Sequence, residues 1–70
     1  MTAKEMFEKL GYKYFREARN RFGYKTMVGE TRPCEILFDT DTKTYHCNLM
    51  ITIQEHQAIT QQMKELGWIE

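Results

Sequence analysis

Apolar residues recur at the helical interval near both ends of this chain and at every second position between them. From Thr2 to Leu10, residues Ala3, Met6, Phe7 and Leu10 stand at i, i+3, i+4 and i+7, with Lys4, Glu5, Glu8 and Lys9 outside that stripe. The pattern predicts an amphipathic helix of about nine residues, too short to hold in water without a packing partner. Its start is written as Thr2-x-x-Glu5, a capping box in which the hydroxyl and the carboxylate each satisfy a free backbone amide, and its stop as Gly11. The stretch from Thr52 to Trp68 repeats the same grammar. Thr52-x-x-Glu55 opens it, Leu66-Gly67-Trp68 closes it in the Schellman manner, and Ile59, Met63 and Leu66 form one stripe flanked by Ala58 and Gln62.

Between these helices the period changes to two. Phe22, Tyr24, Thr26 and Val28 alternate with Arg21, Gly23, Lys25 and Met27, which predicts a strand with one buried face. Gly29-Glu30-Thr31-Arg32 reads as a turn, and a second strand follows from about Pro33 to Asp39 with Cys34, Ile36 and Phe38 on one side. Residues 39–43 form a polar hairpin loop, and a third strand runs from Thr44 to Ile51 with Tyr45, Cys47, Leu49 and Ile51 inward. Lys13 to Asn20 fits a helical turn, an edge strand or an ordered loop equally well. The expectation is one α+β domain over residues 1–70, a two-layer α-β-β-β-α arrangement in which a three-stranded antiparallel meander carries both helices on one face. Its core is expected to hold Ala3, Met6, Phe7, Leu10, Phe22, Tyr24, Val28, Cys34, Ile36, Phe38, Tyr45, Cys47, Leu49, Ile59, Met63, Leu66 and Trp68.

Length and charge narrow this picture. Seventy residues are close to the lower limit for a single apolar core without disulfides or metal. No apolar run approaches the roughly 18 residues of a membrane span, and the charged opening residues do not read as a signal peptide, so a cytoplasmic setting is expected. Two cysteines, Cys34 and Cys47, do not make a secreted disulfide framework and are read as reduced thiols. The formal net charge is zero but uneven: from Tyr12 to Pro33 there are six basic residues against two acidic ones, and the remainder is net acidic.

The two helix segments, Thr2 to Tyr12 and Ile51 to Trp68, together with the Phe38-Asp39…Lys43 hairpin, resemble short uncharacterised proteins encoded by phages, prophages and mobile elements of low-GC Gram-positive bacteria. The resemblance covers most of the length and is weakest from Lys13 to Thr31. It implies a bacterial cytoplasmic setting and a phage or mobile-element origin. It implies no activity, because the matching positions are caps and core. The order helix, three strands, helix is also that of double-stranded RNA-binding domains, but the start of the second helix, where those domains carry a lysine cluster, holds Gln54, Glu55, His56 and Gln57 here.

Candidate chemistry is sparse. There is no serine, no glycine-rich phosphate loop and no His-x-x-x-His helix. Cys34 and Cys47 read as small buried hydrophobes, and neither they nor His46 and His56 have zinc-ligand spacing, so neither a metal nor a cofactor is expected. The chain therefore reads as non-enzymatic. Its first expected role is as an interaction module whose uncovered sheet face presents Met27, Leu37 and Met50 beside His46 to a host or phage protein or to a second copy. The alternative is nucleic-acid binding through Lys13, Arg16, Arg19, Arg21, Lys25 and Arg32, with Tyr14, Phe15 or Tyr24 stacking on bases.

Overall fold

The computed structural model describes residues 1–26 and 34–69, over which the chain forms α1 (Ala3–Lys9), β1 (Tyr12–Ala18), β2 (Arg21–Thr26), β3 (Glu35–Asp39), β4 (Thr44–Cys47) and α2 (Ile53–Glu65). The strands make one antiparallel sheet in the order β1-β2-β3-β4. The α+β class and the packing of the helices on the sheet are as the sequence pattern predicts, with four strands in place of three. The additional strand is β1, built from the stretch whose conformation the sequence left open. The expected strand end at Val28, the turn at 29–32, the contact residue Met27 and the basic residue Arg32 lie outside the described residues.

Both helices start at the predicted capping boxes. Thr2 Oγ1 accepts from the Glu5 amide and the Glu5 carboxylate from the Thr2 amide; Thr52 and Glu55 repeat the exchange at 3.1 and 2.6 Å. At the far end of α2, Gly67 takes φ of 77°, a conformation that costs an L side chain energy. There the Trp68 amide donates to the Met63 carbonyl and the Gly67 amide to Lys64, the two bonds of a Schellman turn.

The helix layer covers one side of the sheet, where Tyr12, Tyr14, Phe22, Tyr24, Cys34, Ile36, Phe38 and Cys47 point. Phe7 of α1 stacks on Tyr24 of β2 with ring centroids 4.0 Å apart and meets Tyr12 edge-on, and Phe22 stacks on Phe38 at 5.3 Å. Ala3, Phe7, Ile36, Phe38, Ala58 and Ile59 have no exposed surface. Three polar contacts latch the helices in place. Tyr24 donates its hydroxyl to Gln62 Oε1 at 2.5 Å, Tyr12 donates to the Glu55 carboxylate, and Glu65 Oε2 accepts from the Ala3 amide at 2.8 Å.

One core expectation and one strand boundary are corrected. Tyr45 is 42% exposed because β4 is an edge strand of four residues that α2 does not cover. The third predicted strand, Thr44 to Ile51, ends at Cys47, after which the chain turns toward α2 and leaves Met50 99% exposed.

Candidate functional site

Each strand presents its other side chains to the face away from the helices, and the register sorts them into three rows. The middle row is Phe15, Gly23, Leu37 and His46, one residue from each strand. On one side of it lie Lys13, Lys25 and Glu35, with Asn48 following β4; the Asn48 side chain accepts from the Glu35 amide at 2.8 Å. On the other side lie Arg21, Asp39 and Thr44, joined by Glu17, the residue that a bulge between Arg16 and Ala18 adds to β1.

Gly23 shapes the middle of this face. A Cβ placed there would come within 2.2 Å of the Ile36 carbonyl oxygen, so only glycine lets β3 approach so closely, and the backbone of β3 fills the space a side chain would take between Phe15 and Leu37. Phe15 and Leu37 are half-buried beside it, and the Lys25 ammonium lies 5.1 Å from the centre of the Phe15 ring. A shallow hollow of about 250 Å³ opens next to Leu37 and His46, bordered by Glu17, Arg21, Asp39 and Thr44.

The charges at that border are ordered. Arg21 Nε donates to Asp39 Oδ2 at 3.2 Å, and the same guanidinium is 3.8 Å from the Glu17 carboxylate. Asp39 Oδ1 accepts from the amides of Asp41 and Thr42, closing the β3–β4 loop. The Thr42 amide above all, then the Asp41 amide and Arg21, hold its carboxyl below the usual aspartate range. That loop is also stitched to the β1–β2 turn: Thr40 donates its amide to the Asn20 carbonyl at 2.8 Å, and the Asn20 side chain donates to Asp41 at 3.0 Å.

The predicted contact residues therefore separate. Leu37 and His46 are register partners on the open face, Met50 lies beyond the end of β4, and Phe15 takes a place that sequence reasoning missed. The predicted basic set does not form one surface. Lys13, Arg21 and Lys25 are on the open face and Arg19 is in the β1–β2 turn, while Arg16 points to the helix side, over the Phe22 ring at 5.9 Å and donating to the carbonyls of Ala18 and Arg19. On that side a groove of about 340 Å³ has Tyr14, Phe22 and Tyr24 as its floor and Lys4, Arg16 and Glu65 on its rim.

The thiols lie elsewhere, under the start of α2. Cys34 is buried and Cys47 half-buried, both reduced, and burial, with Cys34 and Glu55 nearby, pushes the Cys47 thiol up. Burial likewise raises the Tyr12 phenol, reinforced by its contacts with Cys34 and Glu55. Among the described residues no group of three or more His, Cys, Asp or Glu side chains is placed to hold a metal ion, and no helix is long and apolar enough to cross a membrane. Compared with models of known families, with curated proteins and with solved structures, the chain matches none.

Proposed function

We propose that this protein is a small non-enzymatic interaction module of phage or mobile-element origin that works through the open face of its sheet, in contact with a host or phage protein or with itself. One observation carries the reading: Phe15, Gly23, Leu37 and His46 line up across all four strands on the side that neither helix covers. An apolar row framed by charge is the composition of a contact surface, with a dry centre and a polar rim. Four of the carboxylates support the non-enzymatic part. Glu5 and Glu55 close helix caps, Asp39 closes a loop and Glu65 caps α1, so each already accepts backbone hydrogen bonds.

Leu37→Asp tests it, because a charge in the row disrupts a contact while leaving the core untouched. With the melting curve kept within a few degrees of wild type, the variant is expected to lose whatever the wild-type protein binds, read as sedimentation of the protein alone and retention of proteins from a bacterial lysate. Unchanged behaviour in both measurements sinks the reading.

A second reading, nucleic-acid binding, is favoured by the groove on the helix side, where the half-buried ring of Tyr14 lies between Lys4 and Arg16. Single-stranded nucleic acid is held by such a combination of stacking and phosphate contact. It calls for a single-stranded oligonucleotide shift that weakens with salt and disappears in Arg16→Glu. No shift at low salt removes it.

A further inference from the structure

The three rows of the open face are complementary to themselves. A two-fold axis lying in that face, parallel to the strands and passing between β2 and β3, brings a second copy face to face, keeps each row opposite itself and reverses its order. Lys25 of one copy then meets Glu35 of the other, and Glu35 meets Lys25. In the outer row Arg21 meets Asp39, and Asp39 meets Arg21. In the middle row Leu37 stands over Gly23, where no side chain opposes it, and Phe15 stands over His46. We infer that the partner of this face is a second copy of the same chain, docked in this orientation; the inference rests on the reading of the face as a contact surface.

Three observations single out this occupant and this axis. The alternative in-plane axis, across the strands, sets Lys25 against Arg21 and Glu35 against Asp39, like charge against like, which opposes association. Pairing edge to edge is interrupted on one side by the bulge in β1 after Arg16 and offers only the four residues of β4 on the other. Either in-plane axis gives the aligned, face-to-face packing that twisted sheets adopt, about 10 Å apart, and an isologous contact in which every pair occurs twice. The charges therefore decide for the axis along the strands, where the doubled pairs are favourable. Each Arg21 already holds Asp39 of its own chain at 3.2 Å, so docking joins two ion pairs into a ring of four charges.

The area sets the strength. Four strands spaced about 4.8 Å apart, and five residues of about 3.3 Å along each, give with their side chains about 1,000 Å² buried over both copies, the lower bound for a specific interface. The dimer is therefore weak and concentration-dependent, and its charged rows make it weaken with added salt.

The experiment uses two charge reversals, Lys25→Glu and Glu35→Lys, followed by analytical ultracentrifugation from micromolar to millimolar protein, with melting curves as the control for folding. Wild type is expected to move from monomer toward dimer with concentration. Each variant alone places like charges opposite each other twice, and its association constant should fall by about tenfold or more. Mixing the two variants restores opposite charge at both positions and should recover a heterodimer of near wild-type strength, a rescue that contacts within one chain cannot give. Wild type that stays monomeric at millimolar concentration overturns the inference, as does a mixture that fails to associate. If wild type is monomeric while Leu37→Asp still loses a bound lysate protein, self-pairing falls and the contact surface stands.

Discussion

Gly23 shows how much a single position decides. The nearest atoms to a Cβ built there are backbone, the Ile36 carbonyl at 2.2 Å and Leu37 Cα at 3.2 Å, so no side-chain movement relieves the overlap. Gly23→Ala should cost about 3 kcal/mol, lowering the melting temperature by at least about 12 °C. A differential scanning measurement with no shift would mean that β2 and β3 are further apart. Tyr24 carries a second residue-scale consequence. Burial first, then Glu65, Tyr14 and Glu8, push its phenol up to about 12, so the folded state keeps the proton at a pH where the unfolded chain gives it up. Stability is unaffected below the ordinary tyrosine value of about 10 and falls as pH rises from there toward 12. Urea midpoints taken from pH 8 to 12 should show that decline, and it should be shallower in Tyr24→Phe.

Among the elements, α1 is the one most dependent on others. Its seven residues are too few to hold alone, and its first amide is satisfied only by Glu65 of α2, a carboxylate well placed against the positive end of the helix. Glu65→Ala should cost about 1 kcal/mol and speed hydrogen exchange in α1 more than in β2 and β3. Equal acceleration throughout would show that α1 is not held by this contact. Legibility differed sharply between elements. The helices could be read because their signals are local: Thr52, Glu55 and Gly67 act within four residues of themselves. The strand β1 could not, because it is an edge strand whose alternation of Tyr12, Tyr14 and Arg16 is broken at the Glu17 bulge, and because Tyr12 directly follows the Gly11 stop of α1. Even in α2 the stripe was displaced. Ala58 and Gln62, read as flanks, are buried because α1 and the Tyr24 hydroxyl approach from their side. That approach is a tertiary fact with no trace in the local pattern.

At the scale of the whole molecule, the open face was partly legible for the same reason. Period two places Leu37 and His46 on one side without any knowledge of pairing, whereas Phe15 needed β1 to exist and Gly23 needed the approach of β3. The basic stretch scattered because alternation sends Arg16 and Lys25 to opposite faces, however close they stand in sequence. The latch between Ala3 and Glu65 reaches further still. It holds residues 62 positions apart within 2.8 Å, so the start of α1 and the end of α2 are neighbours. A short linker could bridge them, and a new opening at Met50 falls at a side chain that is 99% exposed. The rearranged chain would begin with α2 and run directly into α1, turning the most distant contact of the fold into a local one. Such a circular permutant should keep the spectrum of the parent and refold faster in stopped flow, since less chain entropy is lost before the helices meet.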